Sequence, residues 1–344
     1  MGRAPRTDAM RPMAPGARIP PAPFSTLHHM RGGRRCVARA AGGDEVLRSL
    51  SANRELSVLT SVGTAVVSEA TGRHVTAPTA SAALGRVIMG TLLLGCFRKD
   101  GEVTQISFTG DGPSGVVQAI ANDSGLVRGR IGCPSANLPL RGDGKLDVGG
   151  LIGQGVVTVV RSGPLRPQPY SGIVPIATGE VAEDLATYLA KSEQVNTALA
   201  LGVAVNRDGS IRSAGGFVVQ VLPNASDETL DTLEGTLARI PTVTDMIHDG
   251  LGPADMAEAL FGGIGVAPGA VALTPRYGPC NPDRILRDLP QVLAAMGEEE
   301  VRKVLDEQGC IEARDEFCNE CVQVGPEEVL SQLEKISQGG QEES

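Results

Sequence analysis

PYSGIVPIATGEVAEDLATYLAKSEQ, residues 169–194, is the stretch from which the fold class is read. Its second half, GEVAEDLATYLAKSEQ (179–194), reads as a helix with acids in the first turn, where the positive end of the helix dipole favours them. On either side lie β-branched apolar runs that read as strands: VVTVV (156–160), ALGVAVN (200–206) and GFVVQVLP (216–223). SAALGRVIMGTLLLG (81–95) reads as a second helix. Strands and helices in this irregular order, punctuated by Gly turns, indicate an α+β core of mixed sheet and helices rather than a doubly wound sheet.

The chain has 344 residues, enough for one large core and one small accessory domain. Hydrophobic residues make up 41%, and no run of eighteen apolar residues occurs, which argues for a soluble globular protein with no membrane segment. There is no Trp, and 44 Gly with 23 Pro imply frequent tight turns.

Charge is unevenly spread. Residues 1–43 hold eight Arg and one acid, Asp8; taken from the chain's 31 basic and 40 acidic residues, they leave 23 against 39, a body near −16. Such a body repels a phosphate backbone, so nucleic acid is not an expected partner. The segment 1–41, rich in Arg, Ala and Pro and without the apolar stretch of a secretory signal, reads as a transit peptide cleaved near VARA. The expected compartment is the chloroplast, with the mitochondrion as the alternative. Either is thiol-reducing, so the cysteines are expected as thiols or metal ligands rather than structural disulfides. Cys36 leaves with the transit peptide; Cys96 and Cys133 read as small core residues.

The remaining boundaries are 44–236 for the core, 237–273 for a mostly helical, metastable linker, 274–330 for a small cysteine-containing domain and 331–344 for an acidic tail. Within the linker, PADMAEALFGG opens with Pro253, repeats Met256 and Leu260 four apart and ends at Gly262–Gly263, the outline of a short amphipathic helix. A helix so short must borrow stability from what it packs on.

GLIGQG (150–155), GDGPSG (110–115) and RGDGKLDVGG (141–150) lack the Lys-Ser/Thr of a P-loop, dinucleotide spacing and the spaced carboxylates of a calcium loop, so turn glycines explain them. No G-x-S-x-G occurs, the four His are scattered, and no enzyme activity is expected. Cys280, Cys310, Cys318 and Cys321 are denser than chance burial allows, but their spacing, C-x29-C-x7-C-x2-C, provides only one of the two short pairs usual in a four-cysteine zinc site.

Taken together, ALGR (83–86), RGDGKLDVGG, the 169–194 stretch, ALGVAV and AGGFVVQVLP resemble the heat shock protein 33 family of redox-regulated chaperones, over residues 45–330. The resemblance implies an ATP-independent holdase for unfolding client proteins, dimeric when active and passing clients to foldases of the heat shock protein 70 class. It also implies a C-terminal zinc site of four thiolates. Oxidation there forms two disulfides, releases the metal and unfolds the linker. Met256, Leu260 and Phe261 are then the linker candidates for client contact.

The family pattern has C-x-C before the first C-terminal helix and C-x-x-C in the hairpin. Here Gly278 and Asp315 stand where the first cysteine of each is expected, while Cys280 and Cys318 match. Cys310 and Cys321 have no counterpart. The five residues from Cys310 to Asp315, if extended, span roughly 17 Å, so Cys310 cannot replace the missing ligand. Three outcomes stay open: zinc held with help from Cys321 or the Asp315 carboxylate, a metal-free thiol switch through Cys280–Cys318, or a chaperone no longer governed by these thiols. The expectation is weak or absent zinc. Readings of another class are a zinc-ribbon interaction module and a thiol–disulfide oxidoreductase using Cys318 and Cys321.

Overall fold

The computed structural model describes residues 43–98 and 100–339, so the transit peptide expected over 1–41 lies outside the described residues. The fold opens with the antiparallel pair β1 (Glu45–Leu50) and β2 (Leu56–Val62), followed by α1 (Thr64–His74) and α2 (Pro78–Gly95). A meander of β3 (Val103–Gly110), β4 (Val117–Asn122) and β5 (Leu126–Ile131) leads through α3 (Val148–Ile152) to the pair β6 (Gly155–Gly163) and β7 (Arg166–Pro175). Next come α4 (Ala182–Ser192), β8 (Thr197–Val205) and β9 (Ile211–Val221). The chain then runs through α5 (Asp227–Leu237), α6 (Val243–His248), α7 (Pro253–Leu260) and two short strands, β10 (Val271–Leu273) and β11 (Arg276–Tyr277). It ends with α8 (Pro282–Met296), α9 (Glu298–Gln308), the hairpin β12 (Ile311–Asp315) and β13 (Glu320–Val324), and α10 (Pro326–Gly339).

The strands assemble into a five-stranded sheet, β10-β1-β2-β9-β8, and a six-stranded sheet, β11-β5-β4-β3-β6-β7, so the α+β expectation holds. Alternation explains the layering: Thr104, Ile106 and Phe108 of β3 are fully buried while the residues between them are not. α2 lies between the sheets with 16 of its 18 residues buried. It is long and apolar enough to cross a membrane, but 89% of it is covered by protein, which makes it the central core helix. Close approach depends on its small residues: a Cβ on Gly90 would lie 2.5 Å from Leu185 Cδ1.

Family motifs serve this scaffold. The Asp184 carboxylate accepts hydrogen bonds from the Ala177, Thr178 and Val181 amides, satisfying the start of α4 and holding Val181 at φ 67°, where a β-branched residue is otherwise strained. Glu180 receives Arg86 from α2 and Arg141 from the RGDGK loop. Gly110, Gly112 and Gly155 pack directly on the backbone of Ile152, Leu151 and Thr109, whereas Gly142 and Gly144 of the RGDGK loop face open space.

A second apolar layer lies on the outer face of the five-stranded sheet, beneath α5, α6 and α7. A third, small core belongs to the C-terminal unit: Leu289, Leu293, Val301, Ile311, Val324, Val329 and Leu333. α10 runs through residues 331–339 and buries Leu333, so this stretch, expected as the start of an acidic tail, continues the terminal helix.

Candidate functional site

The residues under the linker belong to alternating strands. LSVLTSV in β2 and the β9 run turn Leu56, Val58, Phe217 and Val219 to the outer side of the sheet. Met256, Ala257, Leu260 and Phe261 from α7 and its C-cap, with Val243 and Met246 from α6, pack on them, and each is 4% exposed or less. Burial of each large side chain is worth about 2 kcal/mol. Local caps finish these short helices: Thr242 caps α6, and Asp255 accepts the Gly252 amide before α7. Thr60 Oγ1 donates to the Pro253 carbonyl at 2.8 Å, pinning the start of α7 to β2. The candidates Met256, Leu260 and Phe261 are thus fully buried, and the Leu56–Val58–Phe217–Val219 face, absent from the sequence-based expectations, lies opposite them.

From the end of the linker onward the chain crosses both sheets. β10 pairs antiparallel with β1, and three residues later β11 pairs parallel with β5. Directly after β11, Cys280 is disulfide-bonded to Cys318, with Cα atoms 5.6 Å apart. Asn281 caps α8 through the Asp283 amide at 2.9 Å.

Cys318 sits in the turn between β12 and β13, and that turn docks on the core. Arg128 of β5 pairs with Asp315 at 3.1 Å, with only 11% and 15% of their side chains exposed. Arg73 of α1 pairs with Glu320 at 3.0 Å, and Arg130 with the exposed Glu316. The guanidinium carbons of Arg128 and Arg130 lie 5.2 and 5.6 Å from the centre of the Phe317 ring, within cation–π range. The Phe317 carbonyl accepts from Tyr277 Oη at 2.6 Å and faces His74 Nε2 at 3.2 Å. Asn319 donates to the Arg73 carbonyl at 2.7 Å. Burial pushes the Tyr277 phenol up to about 12, so it stays a donor at neutral pH. The Arg128–Asp315 pair dominates the electrostatics, because removing one member of a buried pair costs several kcal/mol, whereas exposed pairs such as Arg130–Glu316 contribute little.

The model of the family described as "Hsp33 protein" matches residues 44–324. The chain belongs to the Hsp33 family. The 33 kDa chaperonin of Geobacter sulfurreducens is 40% identical over 278 residues, covering 80% of this chain and 90% of that one. That of Geobacillus kaustophilus is 36% identical, covering 86% and 99%. The crystal structure of the 33 kDa chaperonin from Thermotoga maritima superposes with a TM-score of 0.79 at 29% identity, covering 86% of this chain and all of that one.

Against the zinc site implied by that resemblance, the donor set does not fit. Gly278 supplies no ligand and has φ 122°, a backbone that side chains rarely adopt. Asp315 uses one oxygen on Arg128 and the other on the amides of Phe317 and Cys318, at 2.9 and 3.4 Å. Cys321 pairs across from Arg314 on the solvent face of the hairpin, and Cys310 precedes Ile311 at its far end. Among the described residues no three His, Cys, Asp or Glu side chains come together. Zinc rebuilt with Asp315 or Cys321 is therefore not the arrangement found, and the expectation against disulfides is corrected for Cys280 and Cys318. The redox pair Cys318–Cys321 is not formed either. Strand alternation sends Cys321 outward, and Cys318 is fully buried in its bond to Cys280.

Of the remaining thiols, Cys96 is buried at the end of α2 and pushed up to about 12 by burial, a core residue as expected. Cys133 is half-buried, packs against the edge of the main core and lies 3.6 Å from Ser135 Oγ. Sequence reasoning missed Arg73, Arg128 and Arg130; the signal available was RGR, charge on alternate positions of an otherwise apolar strand.

Proposed function

We propose that this chain is an ATP-independent holdase whose client-binding face is the outer side of the five-stranded sheet, held shut by the linker helices. The observation that carries this reading is the buried apolar seam between Met256, Leu260 and Phe261 and the Leu56–Val58–Phe217–Val219 face. Release of α6 and α7 would expose a contiguous apolar surface of a kind that proteins otherwise keep covered. The sequence carries no G-x-S-x-G or P-loop motif that competes with it, and the acidic body disfavours nucleic acid.

Regulation follows from the donor set. The C-terminal unit holds together through the Cys280–Cys318 bond instead of zinc. That bond ties the docked hairpin to the segment that closes both sheets, so heat or reduction loosens the linker, the reverse of oxidative activation. By family resemblance, released clients pass to foldases of the heat shock protein 70 class, and the active form is a homodimer. The Arg-rich residues 1–41 direct the chain to the chloroplast.

The test is suppression of light scattering by thermally unfolding citrate synthase without ATP, followed alongside hydrogen exchange over residues 243–261. Suppression should rise as those amides become exchangeable. Absence of suppression under heat, reductant and oxidant alike defeats the reading.

A further inference from the structure

The edges of the sheets differ in how they are guarded. β7, an outer edge, carries Pro169 and Pro175, which offer no N–H, and β8 has a register shift at Ala204/Val205. Prolines and bulges of this kind keep foreign strands from adding to a sheet. β1 (EVLRSL) has no Pro and no bulge against β2. What covers it is β10, three residues long and largely exposed, together with one bridge from Ser51 to Val266. The Leu50 carbonyl accepts the Ala267 amide at 2.8 Å, so the main-chain groups of Leu50 face the linker side. By strand alternation those of Arg48 and Val46 face the same way, while Leu47 and Ser49 serve β2.

We infer that β1 is a strand-acceptor site: when the linker opens, β10 leaves, and an extended segment of an unfolding client pairs antiparallel with Val46–Leu50. β10 shows what the edge accepts, since Val271, Ala272 and Leu273 pair with Arg48, Leu47 and Val46. A client strand added there brings alternate side chains over the face that α6 and α7 vacate, next to Leu47, Val58 and Thr60. Main-chain hydrogen bonds read no sequence, which suits a protein that must capture many different chains. The inference rests on the holdase reading and adds the mode of binding to it.

Hydrogen exchange of the heat-opened protein, alone and loaded with citrate synthase, tests it. The Val46, Arg48 and Leu50 amides should exchange freely once the linker opens and slow at least about tenfold when client is bound. If client is captured while these amides stay unprotected, the strand-acceptor site is overturned and the holdase reading stands; if no client is captured, the holdase reading itself fails. Protection that appears without client and grows with protein concentration would mean that a second copy fills the edge, which also overturns the proposal. Arg48→Pro gives an independent readout by removing one edge donor without touching the β2 ladder. It should loosen β10 and expose residues 243–261 sooner, yet lower the amount of client held per opened chain several-fold. An unchanged amount per opened chain counts against strand addition.

Discussion

Reduction of the Cys280–Cys318 bond should destabilise the C-terminal unit, and the size of the effect follows from the loop it closes. The two cysteines are 38 residues apart, and α8, α9 and β12 lie wholly between them. In the chain-entropy description, closing a loop of that length removes about 13 cal/mol/K from the unfolded ensemble, or about 4 kcal/mol at 25 °C. A unit of this size with one small core rarely has more than about 5 kcal/mol to lose. If it melts separately from the core, a loss of about 4 kcal/mol lowers its midpoint by roughly 30 °C. Tyr277 offers a probe beside the bond, because the chain has no Trp and only three Tyr. Tyrosine near-UV signal and hydrogen exchange over 311–324 should report the melting in oxidised protein, in dithiothreitol-treated protein and in Cys280→Ser. Midpoints within about 2 °C of one another would refute the cross-link argument. So would recovery of the oxidised midpoint when zinc is added to the reduced protein, since that would show a working metal site.

Arg128→Ala leaves the Asp315 carboxylate half-buried without its cation and should cost about 3 kcal/mol of hairpin docking, seen as faster exchange over 315–320 while the core is unchanged. Tyr277→Phe removes the 2.6 Å bond to the Phe317 carbonyl and should cost about 1 kcal/mol. Because folding raises the Tyr277 phenol from 10.0 to about 12, its contribution is complete below pH 10 and is lost as pH rises through 12. A urea titration across that range should show the loss in the parent and not in the variant. Met256→Ala opens a cavity in the linker seam worth about 2–4 kcal/mol and should lower the temperature at which client capture begins; an unchanged onset would place the client face elsewhere.

Much of the core was legible because its elements are long and periodic. The 81–95 and 179–194 helices and the VVTVV, ALGVAVN and GFVVQVLP strands all correspond to elements in the structure, since burial on one or both faces leaves a pattern in the residues themselves. β10 and β11 left none. They are three and two residues long, mostly exposed, and exist because β1 and β5 offer unpaired edges across the fold. The hairpin misled in a different way. Cys318 and Cys321 look equivalent in C-x-x-C, but one lies in the turn and the other on a strand whose inward positions are Glu320, Val322 and Val324. Asp315 read as a lost or substitute ligand, and only the placement of Arg128 from a distant strand makes it a docking residue.

The same placement explains how the unit tolerates losing half of its expected ligands. In a tetrahedral zinc site four donors share the work of holding together α8, the hairpin and the strap, the stretch that runs through β10 and β11 to Cys280. Here Asp315, at one ligand position, holds the turn to the core through Arg128 and to its own backbone through the Phe317 and Cys318 amides. Cys280 and Cys318, at two others, hold the turn to the strap by a direct bond. Gly278 is left as a backbone bend, and its amide donates to the Val127 carbonyl at 2.9 Å, extending the β11–β5 pairing. The geometric duties of the metal are thus divided between a disulfide, a buried ion pair and an edge strand. Of these, only the disulfide responds to redox chemistry, and it opens on gaining electrons, whereas a zinc–thiolate cluster opens on losing them. On the holdase reading proposed above, a switch of this kind would keep the linker and the client face while reversing the signal that releases them.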